Sequence, residues 1–102
     1  MKITLPKEKI TEFCNRWKIT EFALFGSVLR DDFGPTSDVD VLVTFASDAH
    51  WSLLDHVTMQ DELAVLYGRK VDLVSRRGIE RSRNPMRRRD ILDSAEIIYA
   101  AA

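Results

Sequence analysis

The chain has 102 residues and a mass of 11.7 kDa, enough for one compact domain over 1–102 and too little for two. With 45% hydrophobic and 30% charged residues it is neither a disordered nor a membrane-spanning composition, and no apolar run reaches the ~20 residues a transmembrane helix needs. The net charge of -1, a single cysteine and an N-terminus without a charged-then-apolar leader predict a cytoplasmic protein with no disulfide, no thiolate metal cluster and no membrane partner.

Lys2 to Leu5 reads as a short extended lead, and Pro6 suits the first turn of a helix. Ile10, Phe13, Cys14 and Trp17 recur at i, i+3, i+4 and i+7, which predicts a helix packed by one stripe, with Cys14 inert in the core. Glu21 to Phe25 reads as a strand ended by Gly26, Ser27 to Asp32 as a turn or short helix, and Phe33 to Ser37 as a loop. Asp38 to Phe45 is a second strand, with Val39, Val41 and Val43 on one face and Asp38, Asp40 and Leu42 on the other. Ser47-Asp48 is a helix-start signal, after which Leu53, Val57, Leu63, Leu66 and Tyr67 form a stripe ending at Gly68.

Lys70 to Ser75 reads as a third strand broken by Gly78, and Ile79 to Asn84 as a short helical turn. A last helix opens at Pro85 or Met86 and passes Ile91, Leu92 and Ala95 into the apolar end Ile97-Ile98-Tyr99. Phe13, Trp17, Phe25 and Leu54 are expected in the core. The order helix, strand, turn, strand, helix, strand, helix predicts an α/β (α+β) fold, a small mixed β-sheet backed by helices. Whether the second and third strands run parallel or antiparallel is left open, because a whole helix connects them.

Three carboxylates stand inside these apolar strands. Asp38 and Asp40 share a face with their Cα atoms about 7 Å apart, and Asp72 joins them from the side if the third strand lies beside the second. Magnesium prefers oxygen ligands and is commonly held by one or two carboxylates plus substrate phosphates. The trio therefore suggests Mg2+, as a pair of ions, orienting a hydroxyl for attack on a nucleoside triphosphate and stabilising the leaving pyrophosphate. Asp72 is also placed to help remove the hydroxyl proton. Gly26 lets backbone N–H groups approach a phosphate, Ser27 adds a hydroxyl donor, and Arg30 adds charge to the phosphate path. For Asp38 and Asp40 alone, an edge strand that keeps acids in solvent is an equal reading; Gly26, Ser27 and Asp72 tip the balance. A calcium loop is excluded by Val41, Leu42 and Val43, and the six-residue spacing of His50 and His56 does not suit a helical zinc pair.

Charge is segregated. Eight acids and no Lys or Arg fall between Asp31 and Glu62, whereas nine basic residues face three acids between Arg69 and Asp90. Such a split can set a cationic surface beside an anionic ligand or an acidic partner. The basic run lacks interleaved aromatics, so nucleic acid is not expected as a direct substrate.

The run Phe25-Gly26-Ser27-Val28-Leu29-Arg30, followed by Pro35-Thr36-Ser37-Asp38-Val39-Asp40-Val41-Leu42-Val43 and by Asp72 in a later strand, resembles the minimal nucleotidyltransferases of the DNA polymerase beta-like superfamily. The resemblance implies that fold and a Mg2+-dependent transfer of a nucleoside monophosphate, from ATP, to a hydroxyl. It implies Asp38, Asp40 and Asp72 as catalytic metal ligands, and Gly26, Ser27, Arg30 and Ser37 as the nucleotide-binding set. Asp31 departs from the glycine that relatives often carry after the arginine. Larger relatives add helical domains to hold the acceptor, for which 102 residues leave no room, so a partner is expected to supply it. By analogy with stand-alone members, that partner is a HEPN-type toxin, a tyrosine of which receives AMP while this chain acts as antitoxin. A binding module that neutralises the partner by contact alone, and a nucleotidyltransferase for a small aminoglycoside-like molecule, are the alternatives.

Overall fold

The computed structural model describes residues 5–26 and 38–101. The expected turn and loop over 27–37, and all but the end of the extended lead, lie outside the described residues. Helix α1, Lys7–Arg16, follows Pro6 and buries Ile10, Phe13 and Cys14, as their spacing predicts. Strand β1, Ile19–Phe25, begins two residues earlier than its pattern suggests, and β2, Val39–Phe45, starts just after Asp38. Helix α2, Leu53–Tyr67, leads to β3, Val71–Ser75; α3, Arg76–Glu80, and α4, Pro85–Ser94, lead to β4, Glu96–Ala100.

The sheet order is β3-β2-β1-β4. β1 is antiparallel to both β2 and β4, while β2 and β3 are parallel, the arrangement a helical crossover such as α2 permits. The mixed sheet backed by helices is thus present, and the open question of strand direction resolves to parallel.

Alternation along the strands divides the core in two. Phe22, Leu24, Val39, Val41, Val43, Val71 and Leu73 face α1 and α2, where they meet Phe13, Cys14, Met59 and Leu63. Ala23, Phe25 and Leu42 face the other way and meet Ile79 of α3 and Ile91 of α4. The sheet is therefore covered on both faces.

Three expectations need correction. First, α2 is capped by Ser52 and starts at Leu53, and Ser47-Asp48 form only a turn. The Ser52 side chain accepts from the Asp55 N–H while the Asp55 carboxylate accepts from the Ser52 N–H, a reciprocal cap that Ser47-Asp48 does not form. Trp51 anchors the approach by donating from Nε1 to the Trp17 carbonyl at 2.8 Å. That start fixes the helix phase so that Met59, Leu63 and Tyr67 bury. Val57 lies about 200° around the helix from Met59 at ~100° per residue, and Val57, Leu53 and Leu54 are exposed, Leu54 at 78%.

Second, Gly78 does not break the chain but lies inside α3, where its N–H is accepted by the capping Ser75 hydroxyl at 3.0 Å. Third, the apolar end is not a continuation of the last helix. The chain turns extended at Ala95 and forms β4 beside β1, whose N–H and C=O groups would otherwise be a bare sheet edge.

Among the described residues, burial raises the pKa values of Cys14 and Tyr67. Desolvation pushes the Cys14 thiol up to about 12, and it pushes the Tyr67 phenol up to about 12 with help from Cys14. The Tyr67 hydroxyl is buried without a hydrogen-bond partner among the described residues.

Two outcomes follow for stability. Leu63→Ala is expected to lose ~3–5 kcal/mol in chemical denaturation, whereas Leu53→Ala, on the solvent side of the same helix, should stay within ~0.5 kcal/mol of the parent. Cys14 and Tyr67 ionise in the unfolded chain near their ordinary values of 9.0 and 10.0, below their folded values of about 12. Their contribution is therefore complete below pH 9 and disappears as pH climbs toward 12. Tyr67→Phe should flatten that alkaline loss in thermal melts and, by removing an unpartnered hydroxyl, leave neutral-pH stability unchanged or raised by about 1 kcal/mol.

Candidate active site

The decisive register is in the parallel pair. Asp40 of β2 stands opposite Asp72 of β3, and Phe25 of β1 stands opposite Asp40 on the other side. One row across three strands thus reads Phe25, Asp40, Asp72, with neighbouring Cα atoms about 4.8 Å apart. The next row on the same face is Ala23, Leu42, Val74, the apolar patch on which α3 and α4 sit. Hydrophobic burial therefore seats the helices one pleat away and leaves the acid row at the mouth. Asp40 is half-buried and Asp72 exposed.

Gly26 closes β1 beside this row with a left-handed φ of +74°. That φ favours glycine, and a Cβ there would meet Asp40 Oδ2 and force the carboxylate to shift. A cavity of about 510 Å³ opens over these residues, lined on the sheet side by Phe25, Gly26, Asp40 and Asp72. Its opposite wall is α4 with the residue that caps it, contributing Asn84, Met86, Arg87, Asp90, Ile91 and Ser94. That wall was not anticipated from the sequence, although Arg87, Asp90, Ile91 and Ser94 fall at i, i+3, i+4 and i+7, one helical face.

The expected site residues divide into three groups. Gly26, Asp40 and Asp72 come together in this cavity. Asp38 lies just before β2, does not line the cavity, and has its Oδ2 4.0 Å from Lys70 Nζ. Ser27, Arg30 and Ser37 lie outside the described residues. Among the described residues, no group of three His, Cys, Asp or Glu side chains is gathered closely enough to enclose a cation. The donor set still fits a hard cation, because Mg2+ is usually bound by one or two carboxylates plus substrate phosphate oxygens and seldom by an all-protein cage.

A cavity of about 580 Å³ at the other end of β2 and β3 is a poorer candidate. Among the described residues that line it, Glu80 is the one acid, and it pairs with Arg76 at 3.6 Å. His56 there is joined through Nε2 to the Leu73 carbonyl at 2.8 Å.

Residues 6–98 match the profile of the nucleotidyltransferase domain. The chain belongs to the nucleotidyltransferase domain family. Among its relatives, the protein adenylyltransferase MntA of Thermococcus cleftensis is 33% identical over 78 residues, which are 76% of this chain and 74% of that one. A solved chain provisionally described as a minimal nucleotidyltransferase is 35% identical with a TM-score of 0.67, covering 87% of this chain and 85% of that chain. A complex of a tri-AMPylated Shewanella oneidensis HEPN toxin with an MNT antitoxin matches with a TM-score of 0.62 over 92% of this chain and 69% of that chain; at 20% identity it shows the shared fold. The family assignment agrees with the resemblance carried by the Gly-Ser and Asp-x-Asp spacing, and the minimal nucleotidyltransferase fold is present.

Two glycines allow the role of Gly26 to be isolated. Gly26 and Gly68 have nearly the same φ, +74° and +70°, but nothing lies within 4 Å of a Cβ at Gly68. Gly68→Ala should show backbone strain alone, ~1–2 kcal/mol in denaturation. Gly26→Ala should exceed it and, unlike Gly68→Ala, should weaken Mn2+ binding in a titration, because Asp40 must move.

Proposed function

We propose that this chain is a Mg2+-dependent protein adenylyltransferase that transfers AMP from ATP to a tyrosine hydroxyl of a HEPN-type toxin and thereby acts as its antitoxin. The observation that carries the reading is the in-register pair Asp40 and Asp72 beside Gly26, in a cavity open enough for a triphosphate. The names of the relatives support the acceptor class: a protein adenylyltransferase among the sequences, and an AMPylated HEPN toxin bound to its antitoxin among the folds.

In this reading Asp40 and Asp72 hold the metal, with Asp38 as the further carboxylate from the strand's start. Bound there, Mg2+ supplies positive charge to the phosphate oxygens and to the leaving pyrophosphate. Gly26, with Ser27, Arg30 and Ser37, holds the triphosphate through backbone and side-chain donors. The acceptor hydroxyl oxygen forms a bond to the α-phosphorus as the bond from that phosphorus to the bridging oxygen breaks. Pyrophosphate leaves with the bonding electrons. The hydroxyl proton passes to a carboxylate, and Asp72 is exposed at an edge strand where an incoming side chain can reach it.

The test is incubation of the purified chain with labelled ATP, Mg2+ and the toxin-like product of the neighbouring reading frame. Label is expected on a tyrosine of the partner, and Asp40→Asn and Asp72→Asn should each reduce it at least ~100-fold, about 2.7 kcal/mol in the barrier, without loss of fold. Neutralisation of the partner that persists in both variants would instead identify a contact-only antitoxin, and pyrophosphate release with an aminoglycoside but no protein partner would identify a small-molecule enzyme.

A further inference from the structure

The wall that α4 contributes to the cavity lies outside the Gly-Ser and Asp-x-Asp signature, and its chemistry is specific. Arg87 is the one cation among the described residues that line the cavity, where it faces a space also bounded by Asp40, Asp72 and Asp90. Its backbone N–H is used by the Asn84 cap at 3.1 Å, but its guanidinium makes no hydrogen bond or ion pair with any described residue. Neighbouring arginines differ: Arg76 pairs with Glu80, and Arg88 donates to the Glu80 carbonyl at 3.4 Å. Ile91, one turn further along the same face, is buried against Ala23, Phe25 and Leu42 and fixes the helix over the acid row.

We infer that Arg87 is a triphosphate-binding residue, its guanidinium taking phosphate oxygens from the side of the cavity opposite Asp40 and Asp72. This inference rests on the nucleotidyltransferase reading of the site. The physical need is charge balance, since a triphosphate brought to the lining acids Asp40, Asp72 and Asp90 meets repulsion that a cation on the α4 wall would offset. A guanidinium fork presents parallel donors to phosphate, which a lysine cannot reproduce. Its place on a helix anchored by Ile91 gives it a defined approach.

The experiment is calorimetric titration of the full chain, in Mg2+, with ATP and with inorganic tripolyphosphate. Arg87→Ala should weaken both about ten- to a hundredfold, the range of a charge-assisted hydrogen bond lost, and Arg87→Lys should recover only part. Arg89→Ala removes the same charge from a residue that does not line the cavity and should stay within about twofold of the parent. Circular dichroism and melting of each variant report folding, which a substitution to Ala on an exposed helix face should preserve. If the parent binds ATP and Arg87→Ala binds it within twofold, or if Arg89→Ala loses as much, the inference fails while the nucleotidyltransferase reading stands. If the parent binds neither ligand, both fail.

Discussion

The parallel pairing of β2 with β3 is the constraint from which the site follows. It sets Asp40 against Asp72, and a slip of one residue would turn one of the two acids toward the apolar layer of α1 and α2. The register is held by what lies on both faces. Val39, Val41 and Val43 pair with Val71, Leu73 and Ser75 in a row, and the two valine-rich strands bury against Met59 and Leu63. On the acid-bearing face, Leu42 and Val74 lie one pleat further along and receive Ile79 and Ile91. The carboxylates are therefore positioned by hydrophobic burial close by, while their own row remains at the mouth of the cavity.

The charge segregation seen along the chain acquires a spatial meaning in this fold. The acidic stretch supplies β2 with Asp40, and the basic stretch supplies α3 and α4, which cover the same face of the sheet. Most of the arginines of those two helices are exposed, so their fields sum over that side of the sheet.

The strands carrying the acids were legible because β-branched runs interrupted by single aspartates admit few other readings, and parity alone puts Asp40 and Leu42 on one face. The pairing of Asp72 with Asp40 was not legible, since a connection containing a helix allows either direction and any neighbour. β4 was missed because Ile97-Ile98-Tyr99 follows a helix with no Gly or Pro between and shows no clean alternation; only the free edge of β1 decides its conformation. The start of α2 was placed at Ser47-Asp48, five residues too early, for a non-local reason. The cap that forms, Ser52 with Asp55, follows Trp51, which docks against Trp17 with rings 5.1 Å apart, a contact between distant positions. The α4 wall was hidden in the same way, because Arg87 and Asp90 gain their meaning from where Ile91 is buried.

The central claim is that Asp40 and Asp72 act as a single unit made by strand register. A double-mutant cycle on Mn2+ binding in the presence of a non-hydrolysable ATP analogue tests it most directly. The expected result is strong non-additivity, with Asp40→Asn combined with Asp72→Asn scarcely weaker than either change alone. Additive losses, or unimpaired binding in either single variant, would contradict the account.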